Sequence, residues 1–341
     1  SNIFINSNCK NMKNYEEVVG IDVSKKTIDA YCYQAQVHKA FVNNVVGYKS
    51  LLKWVFKVTK DSSVFYCFEN TGYYSLKLAL YLSSQSIIYV EESPLKIKRS
   101  SGIVKEKTDR LDAQLIARYA WLYREELEPS TVKSNSQLEL GRLLALRDQL
   151  VRNNAGLKGT LKEMKVLLSS PSTDVGCLSL KRSIDYLEKQ IKGIEERIKD
   201  ILCEDASMRK NYELLTSLKG VGFVVACQLI YHTGNFTRFD SWRAFSSYCG
   251  TAPFKHESGT SIYRRKQCHY LGDRKMKSLL SMASISAIQH DSELRLYYQR
   301  KLAEGKETMI AVNNVRNKLI ARAFAVVKRG TPYVVLQQYA A

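Results

Sequence analysis

Acidic residues in the first third of the chain have the types and positions of a divalent-metal site. Asp22 lies inside an apolar strand pattern, between Ile21 and Val23, and Glu69 directly follows an apolar run that ends at Phe68. Aspartate is disfavoured in strands. A carboxylate in the interior of a sheet therefore suggests that a cation compensates its charge.

Asp109 and Asp112 add a second pair of carboxylates at the start of a predicted helix. Residues three apart on a helix share one face, with Cβ atoms about 5–6 Å apart, where like charges repel unless a metal bridges them. The four carboxylates Asp22, Glu69, Asp109 and Asp112 suit Mg²⁺ or Mn²⁺, and two such ions about 3.5–4 Å apart support phosphoryl transfer. Structural roles stay open at this point, because Asp109 could cap the helix, Asp112 could interact with its dipole and Glu69 could end a strand. Asp29, on the next strand, is a competing carboxylate.

A serine in the last third of the chain is the candidate nucleophile. Ser258 precedes Gly259 on a predicted flexible turn, and six basic residues follow between Arg264 and Lys277. A hydroxyl among cationic groups can attack a phosphodiester once its proton is removed, or it can simply contact a phosphate. Ser261 is an equal candidate on residue type, and His256 and Glu257 are possible helpers. The predicted phosphate contacts in this stretch are Arg264, Arg265, Lys266, Arg274 and Lys275.

A glycine motif lies upstream of this serine, between two apolar helices. It reads Leu218-Lys-Gly-Val-Gly222, the pattern of a helix-hairpin-helix whose backbone N–H groups meet a phosphate. We therefore expect Lys219, Gly220 and Gly222 to bind nucleic acid without sequence preference.

The net charge of the 341-residue chain is +19 and its pI is about 9.5, which indicates a polyanionic partner. The excess is uneven: basic and acidic residues number 18 and 14 in 1–130, 13 and 11 in 131–208, and 21 and 8 in 209–341. Aromatic residues are interleaved with the last group, which favours nucleic acid over a membrane surface. The sequence shows neither a long apolar span nor an apolar leader, so we expect an intracellular, cytoplasmic and nucleoid-associated protein. No two of the eight cysteines form a CxxC pair, so a zinc site or disulfide framework is not expected.

Three regions follow from the hydrophobic patterns. Residues 1–130 alternate strand and helix signals, with a hairpin at 17–33, further strands near 39–43, 63–68 and 86–90, and helices at 47–59, 72–83 and 109–123; this predicts a mixed sheet covered by helices. Residues 131–208 carry an a/d heptad pattern from Leu180 to Ile201. A looser version lies upstream, with Asn153 in place of an apolar residue; its apolar members are Leu143, Leu146, Leu150, Leu157, Met164 and Leu168. Either an intramolecular antiparallel hairpin or a dimerisation stalk fits this pattern. Residues 209–341 are predicted to be mostly helical.

Together these motifs resemble the DEDD-type insertion-sequence transposases of the IS110 family and the related Piv-type DNA invertases. The resemblance rests on 19–25 (VGIDVSK), 68–72 (FENTG), 107–113 (KTDRLDA), the coiled-coil insertion, 218–222 and 248–259. It implies an α/β RuvC-like (RNase H-like) domain with a mixed sheet over 1–130, a coiled-coil hairpin over 131–208, and a basic helical transposase domain with a helix-hairpin-helix over 209–341.

The same resemblance implies that Asp22, Glu69, Asp109 and Asp112 are the catalytic and metal-binding tetrad and that Ser258 is the nucleophile that becomes covalently joined to DNA. It implies double-stranded DNA as substrate, a guide (bridge) RNA in transposase members, and a homodimer that assembles to a tetramer. In that assembly the tetrad of one subunit meets the serine of another.

Three hypotheses remain open on the sequence. The leading one is a Mg²⁺-dependent recombinase that uses Ser258, in the form of a transposase or a Piv-type invertase. The second is a metal-only RuvC-like nuclease in which water replaces the serine. The third is an architectural nucleic-acid binder with an inactive carboxylate site.

Overall fold

The computed structural model describes residues 12–60, 62–100, 108–258, 262–268 and 272–334, with the backbone alone given for 254–258 and 262–268. The chain divides into two compact units, residues 1–132 and 133–341. No helix in the described ranges is both long enough and apolar enough to cross a membrane.

The first unit contains a mixed sheet, as predicted. Its described strands are β1 (Glu17–Val23), β2 (Thr27–Cys32), β3 (Val37–Val42), β4 (Val64–Glu69) and β5 (Tyr89–Glu92). They lie in the order β3-β2-β1-β4-β5. The first three strands pair antiparallel, while β4 runs parallel to both β1 and β5. The helices of this unit are α1 (Val45–Thr59), α2 (Tyr73–Ser84), α3 (Pro94–Ser100) and α4 (Asp109–Leu122), of which α3 was not predicted.

Alternation along β1 divides its residues between two apolar layers. Val19 and Ile21 belong to the layer that contains Leu51 of α1 and Leu78 of α2. Val18 belongs to the opposite layer, which contains Ile116 of α4. Since side chains alternate in a strand, Gly20 and Asp22 share the α4 face with Val18.

The second unit begins with two long helices, α5 (Asn135–Leu167) and α6 (Val175–Glu204). Ion pairs join Arg147 to Glu195 at 2.7 Å and Lys158 to Glu188 at 2.6 Å, so the two helices run antiparallel within one chain. Every predicted a/d residue of α6 is buried or half-buried; these are Leu180, Ile184, Leu187, Ile191, Ile194, Ile198 and Ile201. Helices α5 and α6 therefore form the intramolecular antiparallel hairpin that was one of the two interpretations of the heptad pattern.

Two positions in the predicted α5 pattern are wrong by one residue. Asn154 is buried, with 7% of its surface exposed, whereas Asn153 is exposed. Leu146, which we expected in the seam, is 42% exposed, and the neighbouring Arg147 is half-buried. The other predicted apolar positions are half-buried as expected, except the exposed Leu168; these are Leu143, Leu150, Leu157 and Met164. A search for apolar residues alone misses Arg147, which binds Glu195.

The rest of the second unit surrounds a single apolar core. Its described elements are α7 (Ala206–Thr216), α8 (Phe223–His232), α9 (Trp242–Tyr248), β6 (Pro253–Ser258), β7 (Ile262–Cys268), α10 (Arg274–His290), α11 (Ser292–Ala303) and α12 (Thr308–Arg329). Side chains of α7, α8, α10 and α12 form most of this core, and Phe245 of α9 is fully buried in it. The β6–β7 hairpin corrects the prediction of helices and turns in this region.

Candidate functional site

Asp22 and Glu69 lie side by side at one end of the sheet. The parallel register pairs Ile21 with Phe68, so the next residue of each strand is one of the two carboxylates. Neighbouring strands are about 4.8 Å apart. Glu69 follows Phe65 and Cys67 by even steps, and Phe65 and Cys67 belong to the apolar layer of α4. Both carboxylates therefore belong to the face of the sheet that α4 covers.

Helix α4 brings the other two carboxylates to the same end of the sheet. A Cβ atom built on Gly20 would lie 2.2 Å from the backbone N of Ala117 and 2.5 Å from the carbonyl O of Ala113. The helix therefore crosses β1 in backbone contact, which only glycine permits. Asp109 is one turn before Ala113, and Asp112 is one turn before the buried Ile116, so both precede the residues that face the sheet.

Thr108, rather than Asp109, caps this helix. The Leu111 N–H donates to the Thr108 hydroxyl oxygen at 3.2 Å. The alternative in which Asp109 serves as the N-cap is therefore wrong, and the Asp109 carboxylate is not required for that hydrogen bond. Both aspartates lie in the first turn, where the helix dipole favours negative charge.

The electrostatics of Asp22 show that the four carboxylates affect one another. Partial burial, followed by the charges of Asp112, Asp109, Glu69 and Asp29, raises the pKa of Asp22 to about 6. The carboxylates therefore repel one another at neutral pH. In the described residues, no three His, Cys, Asp or Glu side chains are close enough together to hold a metal ion. The backbone thus gathers four acidic residues whose side chains are not arranged as a closed ligand shell.

Two more carboxylates lie on the strands that flank Asp22 and Glu69, and both have hydrogen-bond partners. Asp29 pairs with Asp22 across β1 and β2, is 8% exposed, and its Oδ1 lies 2.8 Å from Nε2 of His38. Glu92 pairs with Glu69 across β4 and β5, and its Oε2 accepts from the Tyr119 hydroxyl at 3.1 Å. The competing carboxylate Asp29 therefore lies beside the candidate site, bound to a histidine that the sequence reasoning did not single out.

Ser258 is the last residue of β6 rather than part of a flexible turn. Its backbone pairs with Ile262 at the start of β7, so residues 259–261 connect the two strands, and Ser261 lies outside the described residues. His256 pairs with Arg264, and Glu257 pairs with Tyr263.

The register of this hairpin shifts between Phe254 and His256. One residue of β6 there faces two residues of β7, Arg265 and Lys266, which is the pattern of a β-bulge. The basic residues Arg264, Arg265 and Lys266 are thus concentrated at the irregular part of the hairpin, within a few residues of Ser258.

The glycine motif forms the tight turn between α7 and α8, but its two glycines differ in role. Gly220 has φ +88°, and a Cβ there would lie 2.4 Å from the carbonyl O of Ala283 on α10. The absence of a side chain at Gly220 thus allows the turn to pack closely against α10. Gly222 has no neighbour within 4 Å of an added Cβ, and α8 begins there without a side-chain cap. Lys219 is exposed beside it.

The two predicted phosphate contacts at the start of α10 are also unlike each other. Arg274 is exposed. Lys275 forms an ion pair with Asp148 of α5, which reduces the charge that it offers to a ligand.

Comparisons with known proteins agree with the site. A family model for IS110-type DEDD proteins, described as a transposase, matches residues 19–168, which include the four carboxylates. A model described as "Transposase IS116/IS110/IS902 family" matches residues 212–299, which include the glycine motif and Ser258.

Curated relatives point the same way. A pilin gene-inverting protein of Moraxella bovis is 26% identical over 323 residues, covering 92% of this chain and 97% of that protein. An uncharacterized 43.6 kDa protein of insertion element IS110 from Streptomyces coelicolor is 26% identical over 227 residues, covering 66% of this chain and 54% of that protein. A transposase of IS1111A from Coxiella burnetii is 25% identical over 179 residues, covering 46% of this chain and 48% of that protein. With two family models matched in order along the chain and a mixed sheet that fits the RuvC-like fold, the chain belongs to the IS110 family of DEDD transposases.

Proposed function

We propose that this protein is a DNA recombinase that cuts and rejoins strands with Ser258 as nucleophile and with a divalent metal site formed by Asp22, Glu69, Asp109 and Asp112. The observation that carries the proposal is the convergence of the four carboxylates. The strand register and the Gly20 contact bring them to one end of the sheet, and partial burial together with repulsion from the other carboxylates raises the pKa of Asp22.

The donor set fits Mg²⁺ or Mn²⁺. Carboxylate oxygens are the ligands these hard cations prefer, and neither cysteine nor histidine is among the four residues. Carboxylates without a cation repel one another, so side chains turned apart are the expected arrangement of the protein alone. When bound, the metal would polarise the phosphate and stabilise the charge that develops on it. Asp22, Glu69, Asp109 and Asp112 would hold it.

The reaction of the serine balances as a transesterification. The Ser258 Oγ attacks phosphorus, the bond to the leaving strand oxygen breaks, and a new Ser–O–P bond preserves the phosphodiester for rejoining. The serine proton must leave and the departing oxygen must gain one. His256 and Glu257, which directly precede Ser258 in β6, are the candidate groups for this proton transfer.

The basic groups around the hairpin and the glycine turn would bind the DNA backbone. Gly222 leaves the N-terminus of α8 open for a phosphate, Lys219 is exposed beside it, and Arg264, Arg265, Lys266 and Arg274 add positive charge. Gly220 supports this surface by packing against α10, and Lys275 contributes less because of its ion pair with Asp148.

The test is a covalent adduct between the chain and DNA. Labelled DNA carrying the ends of the element that encodes the protein is incubated with chain and Mg²⁺ and resolved on a denaturing gel. Ser258→Ala should abolish the adduct, Ser261→Ala should retain it, and Asp22→Asn should block cleavage. Persistence of the adduct in Ser258→Ala would refute the serine role, and cleavage without an adduct would favour the metal-only nuclease. Absence of cleavage with every divalent ion would favour an architectural binder.

Inversion is a second candidate outcome, because relatives that match across 92% of this chain include a pilin gene-inverting protein. The resemblance also implies a bridge RNA for transposases, and a homodimer that assembles to a tetramer. Copurification of one defined RNA with the expressed protein would support guided transposition, while recombination of inverted sites without RNA would support an invertase. Restored cleavage after mixing Asp22→Asn and Ser258→Ala chains would show that different subunits supply the two halves.

A further inference from the structure

The two chain segments that flank the β6–β7 hairpin lie in close contact at its base. A Cβ atom on Gly272, just after the hairpin, would lie 2.2 Å from the Cα of Gly250, just before it. The two chain segments therefore touch backbone to backbone, and any side chain at Gly272 would force them apart.

Helix α12 holds the first of these segments through hydrogen bonds from two half-buried asparagines to the buried Thr251. The carbonyl O of Thr251 accepts from Nδ2 of Asn313 at 2.9 Å and from Nδ2 of Asn317 at 3.0 Å. The Thr251 hydroxyl lies 3.0 Å from Oδ1 of Asn317, and the Thr251 N–H donates to the carbonyl O of Ser246 at 2.9 Å. Thr251 is 0% exposed, so its polar atoms depend on these partners rather than on water.

The chain segment that follows the hairpin is held by hydrogen bonds of Asp273. Its N–H donates to the carbonyl O of Tyr248 at 2.9 Å, and its Oδ1 accepts from the Met276 N–H at 2.8 Å, which caps α10. The Tyr248 hydroxyl donates to Oδ2 of Asp273 at 3.2 Å and lies 3.0 Å from Nδ1 of His232. Burial lowers the pKa of His232 to about 4, so its ring is neutral at physiological pH.

We propose that Thr251, Asn313 and Asn317, here called the α12 clamp, are positioning residues that aim the Ser258 hairpin at the scissile phosphate. The proposal rests on the proposed role of Ser258. The clamp orients the strand that ends at Ser258, and it touches neither DNA nor the reacting atoms.

The distance from the clamp to Ser258 sets how far a small tilt of the hairpin would displace the serine. Ser258 lies seven residue steps after Thr251, and at about 3.3 Å per step in an extended strand the serine lies roughly 20 Å from the clamp. A tilt of about 10° at the base would displace the serine by roughly 3–4 Å. A misplacement of about 1 Å can already lower a rate by about 100-fold. Loss of the clamp should therefore affect the chemical step more than DNA affinity.

The experiment measures the single-turnover rate of adduct formation at saturating DNA, together with DNA affinity and thermal unfolding, on the full chain. Asn317→Ala and Thr251→Val should each lower the rate at least 10-fold while changing the DNA Kd less than 2-fold. Thr251→Ser keeps the hydroxyl and should stay within 3-fold of the parent rate. Hydrogen exchange of the β6 and β7 amides should accelerate in Asn317→Ala.

Asn211→Ala is the matched control, because Asn211 is a buried asparagine of the second unit, and its Nδ2 donates to Oδ1 of Asn235 at 2.8 Å. It should cost similar stability while leaving the adduct rate of folded protein unchanged. If Asn317→Ala and Asn211→Ala lower that rate equally, or if Thr251→Val reacts like the parent, the proposal is overturned. Ser258→Ala in the same assay distinguishes failure of the proposed function from failure of the clamp proposal. An adduct in Ser258→Ala would refute the role of Ser258 as nucleophile. A parental rate in the clamp variants would refute only the positioning role of the α12 clamp.

Discussion

A single methyl group at Gly20 should disrupt the carboxylate site by displacing helix α4 from strand β1. In Gly20→Ala, the new Cβ would lie 2.2 Å from the Ala117 N, 2.5 Å from the Ala113 O and 2.6 Å from the Ala117 Cα, against 3.4–4 Å for ordinary contact. The atoms it meets belong to the helix backbone, so no side chain can rotate away. Helix α4 would have to move by roughly 1 Å or more, because protein interiors are close-packed.

The expected loss of stability in Gly20→Ala can be estimated from the cost of overpacking a core. Extra methyl groups in tight cores cost about 1–3 kcal/mol and occasionally more, and we expect about 3 kcal/mol here because both contacting segments are backbone. For a unit of this size, this corresponds to a fall in Tm of roughly 10 °C. Metal affinity should fall as well, because the shifted helix carries Asp109 and Asp112.

The assay combines thermal unfolding, hydrogen exchange of the β1 and α4 amides, and Mn²⁺ titration by calorimetry. Gly193→Ala on α6 is the control, because an added Cβ meets nothing within 4 Å there. That substitution should raise stability by about 0.5–1 kcal/mol, the usual gain of alanine over glycine in a helix. If Gly20→Ala unfolds at the parent temperature and binds Mn²⁺ as the parent does, the inferred approach of α4 to β1 is wrong.

Three further outcomes are expected. Asn154→Leu should raise the free energy of unfolding by about 1 kcal/mol, because removal of the buried Oδ1, which has no hydrogen-bond partner, outweighs the loss of the side-chain hydrogen bond to Glu188. Asn153→Leu should change it by less than about 0.5 kcal/mol, and equal effects in chemical denaturation would contradict the inward position of Asn154. The pKa of Asp22 is raised from 3.8 to about 6, so the folded state binds more protons than the unfolded state between these values, and metal-free protein should lose stability as pH rises through this window. Denaturation against pH should show this loss in the parent and not in Asp22→Asn, and Mg²⁺ should reduce it. Lys219→Glu should weaken binding to all DNA sequences and lower the slope of log K against log salt by about 1 or more, whereas an unchanged slope in filter binding would exclude a phosphate contact there.

Most elements of the first unit could be predicted because their signals are local. The apolar runs around Asp22 and before Glu69 are β-strands, and the pattern after Thr108 is a helix, as alternation and 3.6-residue periodicity indicate. Gly20, inside a strand, also carried a signal of close backbone approach that the sequence reasoning did not use.

The errors arose where a neighbouring element decides the outcome. The two wrong positions in α5 came from counting apolar residues, while the structure turns Arg147 and Asn154 inward to meet α6. The hairpin around Ser258 was missed because its strands are rich in charged residues, and strand pairing compensates for that weak local preference.

By itself, the sequence determined which groups are present and on which kind of element: carboxylates at the ends of strands and the start of a helix, and a serine in a basic segment. Only the tertiary structure decided which groups meet. The pairing of Ile21 with Phe68 sets Asp22 beside Glu69, the Gly20 contact brings α4 to them, and Asn313 and Asn317 reach Thr251 from more than sixty residues away. These are long-range contacts, and their free energy depends on packing between segments that no local periodicity records.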